Sequence, residues 1–308
     1  MKILGIGNAI VDVLCKVDDD FLVKNSLTKS TMKLIDENEF KNLLSLINIE
    51  ETVSGGSVAN SIVGLSQLGN DVGFIGKINN DDLGQKYEDG LVDEKVKYLY
   101  RKKNETYPTG SCLILITPDS ERTMCTYLGT AGKINKNDID VSIIQNSEIT
   151  FLEGYLWDEG EPKKAFDKAI RNANKVAMSL SDQFCVNRHK PHFLNLVENN
   201  LDIIFANENE IMSLIEAKNF NDVILFGKKI DKHLIITRGE KGAISIKGKN
   251  IEEVGVKKNL KILDLTGAGD LFASGYLHGL INNLSQKECL EKGTEMSSKV
   301  IQQFGARI

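Results

Sequence analysis

Proline is scarce in this chain, with four residues in 308, and that scarcity argues against disordered, Pro-rich linkers. Cysteine is nearly as rare. Cys15, Cys112, Cys125, Cys185 and Cys289 form no C-x-x-C pair. An odd count without that spacing argues against a zinc ribbon or a disulfide framework and fits reduced thiols in a cytoplasmic protein. Long apolar runs are missing: stretches such as residues 112–116 fall far short of the ~20 residues that span a bilayer. The first twenty residues have neither the apolar core nor the cleavage site of a signal peptide. There is no basic excess, with 38 Lys and Arg against 43 Asp and Glu, so neither nucleic acid nor an anionic membrane is an expected partner. Two common nucleotide fingerprints are absent. No G-x-x-x-x-G-K-[ST] occurs, and after Gly5-x-Gly7 the third glycine of the dinucleotide pattern is replaced by Ile10. The abundant residue is glycine, 26 in all, and its distribution carries the rest of the reading.

Apolar periodicity predicts strands over residues 2–7 and 9–17, a helix over 37–47, and a second helix over 58–68 closed by Gly69. A strand over 72–78, a helix over 81–92 and a short strand over 96–101 follow. Residues 109–117 and 122–127 flank the turn Pro118-Asp119-Ser120-Glu121 and read as a hairpin. From residue 149 strands (149–152, 176–181, 202–206, 234–237) alternate with helices (162–172, 208–216, 221–229). A strand over 260–263, then helices over 268–281 and 285–304, complete the chain. Such alternation predicts an α/β fold with a mainly parallel central sheet covered on both faces. The β-rich pieces near 10–35 and 104–128 break the alternation and are expected to form a small sheet projecting from the main one. The whole, 1–308, reads as one domain with those two segments inserted.

The glycines cluster at turns before helices. In Asp264-Leu265-Thr266-Gly267-Ala268-Gly269-Asp270, small residues let backbone N–H groups face open space at a helix start, where unsatisfied donors and the helix dipole favour an anion. A carboxylate next to an anion repels it, so Asp270 is either an acid stabilising the dipole or an acceptor for the proton of an attacking hydroxyl. Gly55-Gly56-Ser57 with Asn60 permits close approach of a ligand, or is a tight turn with a cap at Ser57. Asn207-Glu208-Asn209-Glu210 follows a strand, where open α/β sheets hold ligands. Its oxygens suit Mg²⁺ through water, or simply cap the next helix. Thr237-Arg238-Gly239 belongs to a nucleotide loop or a plain hairpin. Asn8 and Asp12, polar among apolar neighbours, face a ligand or mark a strand end. His189 and His192 stand three apart without further ligands and read as packed or surface histidines.

Taken together, DLTGAGD, GGSVANSIVGLSQLG, GIGNAIVD, PTGSCLILITPDSERTM, SLSDQF and LDIIFANENE resemble, in order and over nearly the whole chain, the ribokinase-like (PfkB) carbohydrate and nucleoside kinases, and most of all the adenosine kinase group. The resemblance implies a three-layer, Rossmann-like α/β/α domain with a small β lid. It implies ATP as donor with Mg²⁺, stimulation by a monovalent cation such as K⁺, and a monomer or homodimer acting on a small sugar or nucleoside. By position it makes Asp270 the general base and the N–H groups of Gly267, Ala268 and Gly269 the anion hole. It makes Asn8, Asp12, Gly55, Gly56, Ser57 and Asn60 contacts to the acceptor, with Tyr127 as a stacking candidate alongside Tyr155 and Trp157. Asn207 and Glu210 would organise Mg²⁺ through water, Thr237, Gly239 and Thr266 would meet the nucleotide, and Arg122 would close over the transferring phosphate. Two features depart from the family pattern. Leu265 stands where Thr is frequent and is expected to point away from the phosphates. The positions that hold the purine in adenosine kinases align with Met32 and Leu156, which keeps a free sugar open as acceptor. A non-catalytic sugar- or nucleoside-binding protein is a third reading.

Overall fold

The computed structural model describes residues 1–119, 121–157 and 160–308; Ser120 of the predicted turn lies outside them. Among the described residues the chain builds two sheets. In the larger, nine strands lie in the spatial order Asn250–Val254, Ala243–Lys247, His233–Thr237, Ile203–Asn207, Val176–Ser179, Ile149–Glu153, Ile3–Ile6, Val72–Ile75 and Lys97–Tyr98. The seven from His233–Thr237 to Lys97–Tyr98 pair in parallel. Three of them, Ile3–Ile6, Val72–Ile75 and Ile149–Glu153, are short runs buried on both sides, as a parallel sheet between helical layers requires.

The other two main-sheet strands pair antiparallel, with Thr237 opposite Ala243. The glycines of 237–242 therefore make a hairpin, closed by a short 3-10 turn over Gly239–Lys241. The expected strand over 260–263 does not form. Leu263 N–H donates to Ile301 O at 2.8 Å, and Ile262 and Leu263 are largely exposed. Four residues, Leu-Lys-Ile-Leu, are too few to carry a period that separates a strand from an anchored loop, and here they have no sheet neighbour. One long helix, Gln183–Asn199, has no counterpart in the sequence reading. Pro191 sits inside it, and His189 leaves helical geometry at the kink.

The smaller sheet has the order Met32–Leu34, Arg122–Tyr127, Gly110–Ile116, Ile10–Lys16, Glu51–Gly55. Its hairpin pairs Ser111 with Tyr127 and Ile116 with Arg122. Four of its strands fall in the two segments that break the alternation. The fifth, Glu51–Gly55, lies outside both, because its Glu-Thr-Val-Ser-Gly sequence is too polar to read as a strand. Pairing Asp12 with Val53 and Ile10 with Gly55 carries the chain from this sheet straight into the helix Ser57–Gln67.

All five cysteines are buried and free. Among the described residues no helix is long and apolar enough to cross a membrane, and no group of three or more His, Cys, Asp or Glu is placed to hold a metal ion. His189 and His192 pack on Trp157, with ring centroids at 4.5 and 4.7 Å.

Candidate active site

In the main sheet the strand order turns about Ile3–Ile6, flanked by Ile149–Glu153 on one side and Val72–Ile75 on the other. Open α/β sheets bind ligands beyond the carboxyl ends of strands at such a point. Here Asn8 follows one strand and Glu153 ends its neighbour. Glu153 is 1% exposed, and its carboxylate accepts from the backbone N–H groups of Asn8 (2.8 Å) and Val58 (2.9 Å). A side chain at Gly7 would come within 2.6 Å of Glu153 Oε2, so glycine makes room for it. Burial pushes Glu153 up to about 7, against the pull of the bonds from Asn8 and Val58. The sequence analysis missed Glu153. The one available signal was a charged residue closing a largely apolar strand.

Val58 N–H belongs to the first turn of Ser57–Gln67, so Glu153 fixes the start of that helix. The helix has no side-chain cap, because its N-cap is Gly56 at φ 101°. The Ser57 hydroxyl is used elsewhere: Ser57 Oγ donates to Asp270 Oδ1 at 2.6 Å, and Asn60 Nδ2 donates to Asp270 Oδ2 at 3.1 Å. Asp270 lies in the first turn of Ala268–Ile281, entered through Gly267 at φ 76°. Burial raises its carboxyl to about 6; the bonds from Ser57 and Asn60 and the nearby Arg307 charge restrain the rise. Such a carboxyl is ionised near neutrality and can still take a proton, which suits a general base.

Asp270 lines a cavity of about 340 Å³ with Gly267, Ala268, Gly269, Ser57, Asn207, Glu210 and Thr237. That volume is within the ~300–1,000 Å³ of small-molecule sites. Asn207 and Glu210 form a capping box: Asn207 Oδ1 accepts from Glu210 N (2.8 Å) while Glu210 Oε2 accepts from Asn207 N (2.9 Å). Burial raises Glu210 to about 7. Leu265 is 66% exposed and is among the residues at the edge of this cavity. Ala268 N–H donates to Leu265 O at 3.2 Å. Of the three amides at this helix start, that of Ala268 is thus engaged by the turn.

A second cavity, about 140 Å³, lies under the small sheet. Asp12, Val53, Ser54, Asn60, Arg122, Thr266 and the segment 304–307 line it. Gly55 leaves room for the Asp12 carboxylate, since a side chain there would come within 2.3 Å of Oδ2. Gly56 likewise clears Asn8 O at 2.3 Å. Burial pushes Asp12 up to about 7, while Arg307 and Arg122 pull it down. Arg122 Nη2 stands 3.0 Å from Asp264 Oδ2, at an angle that makes no hydrogen bond. Thr266 donates from its N–H and hydroxyl to Asp264 Oδ1, at 3.0 and 2.7 Å.

Of the sequence candidates, Asn8, Gly55, Gly56, Tyr127 and Gly239 line neither cavity; the first three stand behind the residues that do. Tyr127 faces another hollow, with its ring 5.7 Å from Phe40 and its hydroxyl donating to Glu37 at 3.4 Å. Side chains alternate along Arg122–Tyr127, which puts Tyr127 on the opposite face from Arg122. Gly239 sits in the hairpin at φ 56°, and a side chain there would meet nothing within 4 Å. Of the stacking candidates, Trp157 is core and Tyr155 lines the larger cavity with its hydroxyl on Asp182 at 3.0 Å. Leu156 is buried core, and Met32 is 40% exposed on the small sheet. The sequence analysis also missed Arg307, which no motif marks.

The pfkB family carbohydrate kinase profile matches residues 26–308. The chain is similar to a solved adenosine kinase from Sinorhizobium meliloti, 34% identical, covering 100% of this chain and 95% of that one with a TM-score of 0.91. It is as similar to a solved probable sugar kinase from Rhizobium etli, 35% identical over 99% of this chain and 94% of that one, again at 0.91. Among curated proteins, adenosine kinase 2 of Arabidopsis thaliana is 25% identical over 98% of this chain and 94% of its own length.

Proposed function

The chain belongs to the pfkB family of carbohydrate kinases, phosphotransferases with an alcohol acceptor and ATP as donor, and we propose that it moves the γ-phosphate to a hydroxyl of a ribonucleoside, adenosine first. One observation carries this reading: the Asp270 carboxyl lines the larger cavity, accepts from Ser57 of that cavity and from Asn60, which lines the other, and is raised by burial to about 6. The 340 Å³ cavity takes the nucleotide and the cavity under the small sheet takes the acceptor.

In this reading Asp270 accepts the proton of the acceptor hydroxyl as its oxygen attacks the γ-phosphorus in line. The N–H groups of Gly267 and Gly269 face the charge that develops on the transferring group. Asp12 accepts from the acceptor's hydroxyls and aims one of them at Asp270. Asn207 and Glu210 fit Mg²⁺ in the usual mode for this hard ion, one carboxylate acting through water beside substrate phosphates. Mg²⁺ would there neutralise phosphate charge. Glu210 is held on Asn207, which supports an indirect contact.

A free sugar is the second reading, because the acceptor cavity is only about 140 Å³. Acceptor-dependent ADP release with adenosine, inosine, ribose, fructose and ketodeoxygluconate, with Mg²⁺ and with K⁺ varied, tests both. Adenosine should give the highest kcat/KM. A higher value for ribose, fructose or ketodeoxygluconate moves the assignment to the sugar reading, and ADP release indifferent to every acceptor overturns the kinase assignment.

A further inference from the structure

Residues 301–308 return to the acceptor cavity and are pinned there at several points. Gly305 N–H donates to Asp264 Oδ2 at 2.8 Å, and Gln67 Nε2 donates to Ile308 O at 2.9 Å. Ala306 packs so closely on Gly267 that a side chain at Gly267 would come within 2.6 Å of Ala306 Cα. These anchors point Arg307 inward. Its Nε donates to Asn60 Oδ1 at 3.2 Å, while Asn60 Nδ2 donates to Asp270. Arg307 thereby fixes which way round the Asn60 amide sits. Its Nη2 is buried in the cavity wall with no hydrogen-bond partner. A buried guanidinium nitrogen without an acceptor is costly, and native proteins normally satisfy such a group. The Asp12 carboxylate lines the same cavity, too far for an ion pair but near enough to sense the charge.

A hydroxyl both donates and accepts. A carboxylate that only accepts, facing a guanidinium that only donates, is complementary to vicinal hydroxyls held between them. Resting on the kinase reading above, we propose that Arg307 is a specificity and positioning residue: its free Nη2 donates to an oxygen of the acceptor's vicinal diol opposite Asp12, and its Nε orders Asn60 against Asp270. The ligand class is a cis-diol, as in a ribose ring, and a deoxy acceptor leaves Nη2 unpaired.

The test measures acceptor Kd by calorimetry and steady-state kinetics for the intact protein, Arg307→Ala and Arg307→Lys, with adenosine, 2′-deoxyadenosine and 3′-deoxyadenosine. Arg307→Ala should weaken adenosine about 10- to 100-fold in Kd and KM, the scale of one hydrogen bond to a charged group, and leave the ATP KM within twofold. For one of the deoxy analogues the variant should lose less than threefold relative to wild type. Arg307→Lys, with a charge but no planar fork, should recover under half of the lost binding on a logarithmic scale. Equal losses for all three acceptors, or a loss of thermal stability in both variants with unchanged adenosine Kd, overturns the proposal. Wild-type protein that binds adenosine without turnover overturns the kinase reading alone, and Arg307 is then judged on Kd. Wild-type protein that binds no diol overturns both.

Discussion

Arg122 Nη2 lies 3.0 Å from Asp264 Oδ2, and this contact ties the hairpin of the small sheet to the loop that leads into Asp270. Both side chains are nearly buried, at 10% and 9% exposure. Asp264 also accepts from Thr266 and from Gly305 N–H, so one carboxylate joins three segments. The two partners are therefore not equivalent. Asp264→Asn strands a buried guanidinium and spoils bonds within the loop; the cost should be about 3 kcal/mol, the lower end for a broken buried pair. Arg122→Ala leaves Asp264 with its three donors and should cost less than half as much. Urea unfolding of both variants measures this, and equal losses would show that Asp264 has no role beyond the pair.

Asp270→Asn keeps the shape of the side chain and removes its ability to take a proton. The kcat should fall about 10²–10⁴-fold, the usual contribution of a general base, with the acceptor Kd within threefold of wild type. Ser57→Ala provides the graded companion. Its bond holds the Asp270 pKa down, so the acid limb of kcat/KM, expected near pH 6, should move upward. Retention of more than a tenth of wild-type kcat by Asp270→Asn would remove Asp270 from the role of base.

Much of this site was legible in the sequence because it is local. Gly267, Gly269 and Asp270 share one turn, and Gly55, Gly56, Ser57 and Asn60 share another; in both, the residue types follow from the backbone that a helix start needs. Glu153 and Arg307 were not legible, for the opposite reason. Each acts across a long chain separation, on Asn8 and on Asn60, and neither neighbourhood in sequence hints at the partner. Tyr127 shows the limit of residue type alone, since only the pleat decides which face of a strand meets the cavity. Asn207 and Glu210 were legible in position but ambiguous in role, because a capping box and an ion-organising pair use the same residues at the same spacing.

Four carboxyls in and around the site, Asp12, Glu153, Glu210 and Asp270, are raised by burial to about 6 or 7. An acid whose folded pKa exceeds its unfolded value near 4 is most stabilising when protonated. Its contribution is fully present below about pH 4 and is lost as pH rises through 6 to 7. His233, held down at about 4 by burial, works in the opposite sense below about pH 6.5. A comparison between proteins separates the two effects. Glu153→Gln removes one raised carboxyl and leaves His233 in place, so between pH 5 and 8 its melting temperature should fall less steeply than that of wild type. Parallel curves from differential scanning fluorimetry would show that Glu153 is ionised throughout.

Gly55 and Gly267 allow the two cavities to be perturbed separately. A methyl group at Gly55 would come within 2.3 Å of Asp12 Oδ2. The carboxylate must swing away, because both of its oxygens and its carbon lie within 2.8 Å of the new group. Gly55→Ala should therefore raise the acceptor KM at least tenfold and leave the ATP KM within twofold. At Gly267 the φ of 76° is strained for any other residue, and the new side chain would meet Ala306. Gly267→Ala should cost about 1–3 kcal/mol in strain and also displace the first-turn amides. It should lower kcat and raise both KM values, because the turn it distorts faces the nucleotide on one side and Ala306, beside Arg307, on the other. If Gly55→Ala raised the ATP KM as much as the acceptor KM, the cavity under the small sheet would not be the acceptor site.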